Sequence, residues 1–201
     1  ALAASSPFVD GVDSFYQSAR LNAVSAFPLS GQCPPLGSWQ EFTEHFAFLQ
    51  ACGIAQGIKD LYWDVRPKPE FGTVEIRVCD TPLTIEQATS LAALAQSLAR
   101  WLLRTRPPLH TAKQAHVARY NKFQACRYGL EAMISDPVNL CQTPLKQTLA
   151  DLLEAVSEDA RELDCAHWLS PLKQAVAENT GDAAWLRARE KLHGNLNDVV
   201  R

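Results

Sequence analysis

The sequence has 201 residues, of which 47% are hydrophobic and 20% are charged, so it can fold as one large domain or two small ones. A formal net charge of −3 argues against a general nucleic-acid binder, which neutralises phosphates with clustered lysine and arginine. No apolar run approaches the roughly 20 residues that a membrane-spanning helix needs.

The cysteines and the start of the chain bear on the cellular compartment. Six cysteines lie far apart without a CxxC pair, which favours reduced, mostly buried thiols over a disulfide framework. The first residues, ALAASSPF, lack the basic and long apolar regions of a signal peptide. We therefore expect a cytoplasmic protein. The five histidines, for their part, have no spacing typical of zinc ligands, so the sequence predicts no zinc site.

Two helices are predicted before residue 60. The first covers residues 13–24. The second begins at a capping box, SWQE, in which the Ser38 hydroxyl accepts from the Glu41 amide and the Glu41 carboxylate reaches back to Ser38. It carries aromatic residues at helical spacing and ends near Gly53, so these aromatic side chains are expected in the core.

Residues 61–82, LYWDVRPKPEFGTVEIRVCDTP, predict two antiparallel strands joined by a Pro/Gly turn. Side chains alternate between the two faces of a strand, so this pattern separates an apolar face from a charged one. The apolar face, expected to dock on a core, contains Leu61, Trp63, Val65, Val74, Ile76 and Val78. The charged face contains Asp64, Arg66, Glu75 and Arg77.

The rest of the chain is predicted to be helical. Thr84 caps a helix with an apolar stripe from Ile85 to about Leu103, and Gln87 occupies the reciprocal capping position. A further helix covers residues 113–128 and ends at Gly129. The tail is predicted to add helices at residues 144–156, 158–163, 171–178 and 182–193.

The charged face of the hairpin has two interpretations. A carboxylate between guanidinium groups suits a metal ion and phosphates, because Mg²⁺ prefers oxygen ligands and cations bind anionic oxygens. Alternatively, Glu75 and Arg77 form an ordinary surface ion pair that contributes little, and Asp64 pairs with an arginine. The alternation alone shows only that these side chains share a face.

The motifs of this region also resemble those of the bacterial/plant-type glutamate–cysteine ligase family of carboxylate–amine ligases. WDVRP at 63–67 and GTVEIRVCDTPLT at 72–84 carry the resemblance most clearly. Further matching segments are ASSPF at 4–8, ARLNAVSAFP at 19–28, SWQEF at 38–42 and NKFQACRYGLE at 121–131. The resemblance covers most of residues 1–131, and its motifs are specific.

The resemblance implies an α+β fold: part of an antiparallel sheet of the glutamine synthetase-like catalytic type, packed against helices, with an all-helical C-terminal tail. Residues 1–131 then correspond to the C-terminal part of a ligase catalytic domain, and residues 132–201 form the helical tail of that domain. The family's N-terminal part, with further metal-binding carboxylates, is missing from this sequence. We therefore expect a fragment, a processed product or a partial chain.

The implied reaction is ATP-dependent: a glutamate-type carboxylate is phosphorylated, and the acyl phosphate is attacked by an amine such as that of cysteine. ATP and Mg²⁺ are the implied cofactors, and Glu75 is the candidate metal ligand. Arg66 and Arg77 are candidate catalytic and nucleotide-binding residues, because they can offset charge on the γ-phosphate or bind the substrate carboxylate.

Three residues in the matching segments are candidates for substrate binding. Arg20 and Asn22 lie in ARLN, although a role on the helix surface is an alternative. Arg127 lies in NKFQACRYGLE, where the dipole at the end of the helix is an alternative reason for a cation.

Two other functions remain open at this point. One is a binding fragment without catalysis, which partners the missing N-terminal part. The other is a dimerisation module that forms a homodimer through the alanine-rich helix after Thr84 and the helical tail. The expected small-molecule partners are amino acids and ATP, without nucleic acid or membrane, and the sequence does not identify which acid and amine are joined.

Overall fold

The computed structural model describes residues 1–108 and 111–196, which fold into helices and small two-stranded sheets, as expected for an α+β chain. The α-helices of the described part are α1 (Ala19–Val24), α2 (Trp39–Ala51), α3 (Ile85–Thr105), α4 (Ala112–Tyr128), α5 (Leu145–Ala155), α6 (Ser157–Glu162), α7 (Ser170–Glu178) and α8 (Asp182–His193). The strands pair as β1 (Phe8–Val9) with β2 (Val12–Asp13), β3 (Ser30–Gly31) with β4 (Tyr62–Trp63), β5 (Val65–Lys68) with β6 (Thr73–Ile76), and β7 (Met133–Asp136) with β8 (Cys141–Pro144).

Local capping sets the start of several helices. Ser38 accepts a hydrogen bond from the Glu41 amide at 3.1 Å, which confirms the predicted cap of α2, but the Glu41 carboxylate accepts from the Gly37 amide rather than from Ser38. Helix α1 begins six residues later than predicted, because Ser18 caps it and the chain before it forms β1 and β2.

The larger core joins α3 to the tail helices. The predicted stripe of α3 is wrong in detail: Ile85 is 87% exposed, whereas Ser90, Ala93 and Ser97 form the buried face. These small side chains let the tail helices pack closely against α3. Their buried partners are Leu153, Val156, Ala160, Cys165, Leu169, Leu172 and Val176.

A smaller core lies between α2 and the segment that enters the hairpin. Phe42 and Leu49 of α2 pack with Leu61 and Trp63, all of them buried. Trp39, expected in this core, is 57% exposed and stacks on the outer side of Phe42. The smaller core therefore fixes the start of the hairpin on α2.

The antiparallel hairpin of β5 and β6 is confirmed, with Val65 opposite Ile76 and Arg66 opposite Glu75. The prediction that the apolar face docks on a core is confirmed for Leu61 and Trp63, which are buried. It is wrong for β5 and β6, because Val65, Val74 and Ile76 are 44%, 65% and 46% exposed. On the charged face only Arg66 is buried, and it donates to three backbone carbonyls of the preceding segment, whereas Glu75 and Arg77 stay partly exposed.

The tail is not all-helical, because residues 133–144 form the β7–β8 hairpin before the helices begin. The side-chain amide of Asn121 in α4 holds this hairpin through hydrogen bonds of 2.8 Å to both the amide and the carbonyl of Ser135. The four later helices are confirmed within one or two residues. Residues 197–201 of the predicted tail lie outside the described part.

All six cysteines are unpaired, and only Cys126 and Cys165 are buried, so the expectation of mostly buried thiols is wrong. Within residues 1–108 and 111–196, no helix combines the length and the apolar character needed to cross a bilayer.

Asp80 connects three separate parts of the chain, and we call it and its partners the Asp80 cluster. One carboxylate oxygen accepts from the Ser5 amide at 2.9 Å and the Ser6 hydroxyl at 2.8 Å. The other accepts from the Ser18 hydroxyl at 3.1 Å and from Arg20 Nε at 2.7 Å. Burial raises the pKa of Asp80, but these hydrogen bonds outweigh it and hold the pKa below its usual value.

We expect Asp80→Asn to lower the free energy of unfolding by about 2–3 kcal/mol, because the change replaces one acceptor oxygen with an NH₂ donor that faces other donors and removes the charge that pairs with Arg20. The loss stays below that of a fully buried pair because the Arg20 side chain is 39% exposed. Denaturant unfolding of the two proteins measures the difference. Asp10→Asn is the matched control, since Asp10 is exposed and has no side-chain partner among the described residues.

The same pair of proteins tests the ionisation of Asp80. The ionised carboxylate stabilises the fold above its ordinary pKa, and this contribution is lost as the pH falls through the lowered pKa of the folded state. The stability difference between the two proteins therefore shrinks between about pH 7 and about pH 2. A difference that stays constant over this range contradicts the assignment.

Candidate functional site

Glu75 lies on β6 between two guanidinium groups, and we call these three residues the Glu75 cluster. Arg66 Nε donates to Glu75 Oε2 at 2.9 Å, and Arg77 donates to Glu75 Oε1 at 2.7 Å. The register places Arg66 directly opposite Glu75, and Arg77 follows two residues later on the same face. The structure therefore brings together the three residues that the sequence predicted for metal and phosphates.

The two arginines of the cluster are held differently. The Arg66 side chain is 6% exposed, and its second nitrogen donates to the carbonyls of Ile58, Lys59 and Leu61. The Arg77 side chain is 32% exposed and lies over the Tyr62 ring at 5.5 Å. Arg66 is thus fixed by backbone carbonyls. Arg77 has fewer contacts, so its guanidinium loses fewer interactions if it turns to bind a ligand.

The electrostatics of the cluster keep its acid ionised. The hydrogen bond from Arg66 is the main reason that the pKa of Glu75 lies below its usual value, and the hydrogen bond from Arg77 adds to it against the opposing effect of burial. Glu75 is 31% exposed, so its carboxylate is accessible and negatively charged at neutral pH.

The Glu75 cluster can supply one carboxylate ligand to a magnesium ion. No group of three or more acidic, histidine or cysteine side chains in residues 1–108 and 111–196 is placed to hold a metal ion. Mg²⁺ commonly takes one or two carboxylates and completes its shell with phosphate oxygens and water, so Glu75 fits as one of those carboxylates. Each Glu75 oxygen accepts one hydrogen bond in the structure, from Arg66 or from Arg77, so each keeps a lone pair for a metal ion.

A second ion pair extends the charged face, and sequence reasoning missed it. Asp64 lies beside Arg77 across the strands and pairs with Lys122 Nζ of α4 at 2.6 Å, rather than with an arginine. The available signal was the position of Lys122 inside NKFQACRYGLE, one of the family-like segments. Lys122 therefore adds a third cation to the face that carries Glu75.

Arg20 lies just beyond the end of β6, but its contacts are structural. Its Nε donates to Asp80 at 2.7 Å, and one terminal nitrogen donates to the carbonyls of Val78 at 3.2 Å and Cys79 at 2.8 Å. Asn22 is exposed on α1, and its side chain has no partner among the described residues. Substrate binding by either residue stays a prediction.

Arg127 is directed toward the N-terminal loop instead of the Glu75 cluster. It donates to the Phe15 carbonyl and lies over the Tyr16 ring at 4.8 Å. These contacts give it a structural role at the end of α4, and its predicted role in substrate binding stays a prediction.

A family model described as glutamate-cysteine ligase family 2 matches residues 1–201. A Dechloromonas aromatica (strain RCB) protein named "Putative glutamate–cysteine ligase 2" is 97% identical over 201 residues, which are 100% of this chain and 52% of that protein. Proteins of the same name from Polaromonas naphthalenivorans (strain CJ2) and Janthinobacterium sp. (strain Marseille) are 46% and 44% identical over all of this chain and 53% and 54% of their own. The chain thus spans about half the length of these curated relatives, and it belongs to glutamate–cysteine ligase family 2.

Proposed function

We propose that this chain forms part of an ATP-dependent carboxylate–amine ligase that joins a glutamate-type acid to an amine such as that of cysteine. The observation that carries the proposal is the Glu75 cluster: an ionised, accessible carboxylate held between a fixed guanidinium and a partly exposed one. Membership of glutamate–cysteine ligase family 2 supports the class of reaction.

In the proposed reaction a carboxylate oxygen of the acid attacks the γ-phosphorus of ATP, and the bond from that phosphorus to the bridging oxygen of ADP breaks. The product is an acyl phosphate. The amine nitrogen then attacks the acyl carbon, phosphate leaves with the electron pair of the C–O bond, and the nitrogen loses a proton. Phosphoryl transfer requires mainly alignment and charge stabilisation from the protein, so a face of fixed cations suits this reaction.

Each residue of the cluster receives a role from its contacts. Glu75 would hold Mg²⁺, which when bound supplies charge neutralisation at the phosphates. Arg77, partly exposed, would bind the transferred phosphate or the substrate carboxylate. Arg66 positions Glu75, because its other donors are fixed on backbone carbonyls.

We further propose that the β5–β6 hairpin is part of a larger antiparallel sheet of the glutamine synthetase type. The exposed apolar face of Val65, Val74 and Ile76 supports this, because an apolar sheet face is normally covered in a folded protein. We propose that the remaining part of a family protein covers it and supplies further metal ligands. A cytoplasmic location is consistent with six unpaired thiols, and a homodimer stays a prediction.

The metal role of Glu75 is tested in a full-length hybrid, in which these 201 residues replace the matched part of the Dechloromonas aromatica relative. We expect Glu75→Gln to lower ADP release in the presence of glutamate and cysteine by about 100-fold or more, because an uncharged amide is a poor Mg²⁺ ligand and loses its charge-assisted contacts. A coupled assay of ADP measures the rate.

Glu70→Gln is the matched control, since Glu70 lies on the turn of the same hairpin, is 53% exposed and, within residues 1–108 and 111–196, forms its ion pair with Lys68 at 3.8 Å. It is expected to leave the rate unchanged. Full turnover by the Glu75→Gln hybrid contradicts the assignment of Glu75 as a metal ligand. If the unsubstituted hybrid releases no ADP with any amine acceptor, the ligase proposal itself is wrong.

The isolated 201-residue chain is expected to release no ADP, because one carboxylate does not complete the metal shell of a phosphoryl-transfer site. The same assay on the chain and the hybrid makes the comparison, with calorimetry of Mg-ATP binding beside it. Glutamate-dependent ADP release by the chain alone contradicts the expectation, and tight Mg-ATP binding by the chain argues against an inert fragment.

A further inference from the structure

A cavity of about 400 Å³ lies between the loop that follows α1 and the first half of α4. Its lining includes Phe27, Gln32 and Arg119, and its volume falls within the range of small-molecule sites. We propose that this cavity binds the adenine base of ATP. The inference rests on the proposed use of ATP and assigns a part of that site that the Glu75 cluster does not contain.

Phe27 offers a stacking surface for the base. Its side chain is 58% exposed although it is large and apolar, and its ring stacks on Tyr62 with centroids 5.9 Å apart and an angle of 20°. The contact with Tyr62 fixes the plane of the Phe27 ring. A flat ligand that stacks on this plane buries apolar surface without any rearrangement of the protein.

Two polar side chains of the lining are available for the edges and the second face of the base. Gln32 and Arg119 are exposed and have no side-chain partner in the described part of the chain. A glutamine amide can bond both the amino group and the adjacent ring nitrogen of adenine. A guanidinium stacks on a nucleobase through its planar π-system.

The cavity connects to the Glu75 cluster through a short series of contacts. Phe27 stacks on Tyr62, Arg77 lies over the same Tyr62 ring at 5.5 Å, and Arg77 bonds Glu75 at 2.7 Å. A base on Phe27, the Arg77 cation across Tyr62 from it and the Glu75 carboxylate beyond Arg77 follow the order of base, phosphates and metal along an extended nucleotide.

This order also favours the base over the amino-acid acceptor as the occupant. The acceptor nitrogen has to reach the acyl carbon beside the transferred phosphate, and near-attack geometry requires about 3–3.5 Å between the reacting atoms. Tyr62 stands between the Phe27 side of the cavity and Arg77, so an amino acid placed there is separated from the phosphate-binding cations.

The test measures binding of adenosine and of ADP without Mg²⁺ to the full-length hybrid by calorimetry. Phe27→Ala is expected to weaken adenosine binding about tenfold to a hundredfold, the range typical for loss of one base–aromatic stack. Gln32→Ala is expected to weaken it by a similar factor, because it removes a bidentate hydrogen-bonding contact to the base edge. Phe48→Ala and Gln142→Ala are the matched controls, because both side chains are exposed and lie outside the cavity lining. Glu75→Gln is expected to leave adenosine binding unchanged.

The outcomes separate this inference from the proposed ligase. If Glu75→Gln abolishes turnover while Phe27→Ala and Gln32→Ala leave the affinity for ADP unchanged, the ligase stands and the adenine site is wrong. If adenosine binding depends on Phe27 and Gln32 but no amine acceptor gives ADP release, the adenine site stands and the ligase is wrong. An unsubstituted hybrid that binds neither adenosine nor ADP overturns the adenine site.

Discussion

The Arg66 guanidinium is the interaction on which the candidate site depends. It joins the segment before the hairpin to the opposite strand: it donates to the backbone carbonyls of Ile58, Lys59 and Leu61 and also to Glu75 on β6. Leu61 belongs to the core packed on α2, so this one side chain links the core to the acid. The ion pair with Glu75 and the three carbonyl acceptors offset the cost of burying the charge of Arg66.

The Asp80 cluster holds the other end of the same strand region. It ties the exit from β6 to Ser5 and Ser6 near the start of the chain and to the cap of α1 at Ser18. The candidate site is therefore anchored on both sides by partly buried ion pairs and hydrogen bonds rather than by the apolar face of its own hairpin. This arrangement explains why the charged face is ordered although the apolar face of the hairpin has no cover within the described part of this chain.

The features that the sequence predicted well were local ones. The Ser38 cap and the β5–β6 hairpin with its Pro/Gly turn depend on residues a few positions apart, so pattern alone identified them. The burial of Arg66 depends on the carbonyls of Ile58, Lys59 and Leu61 in the preceding segment, and strand alternation carries no information about such side-chain-to-backbone contacts. The β7–β8 hairpin had a local signal in its turn, where Asp136 accepts from the Val138 and Asn139 amides, but the helical reading of the tail obscured it.

The charged side chains of the hairpin are already paired, so the proposed nucleotide can replace the partners of these ion pairs when it binds. In the structure Glu75 neutralises Arg77, and Asp64 neutralises Lys122. A triphosphate that arrives with Mg²⁺ brings both kinds of replacement partner: its oxygens can take over the guanidinium of Arg77, and the metal can take over the carboxylate of Glu75. Arg66 keeps its carbonyl contacts throughout, so the acid stays oriented while its partner is exchanged.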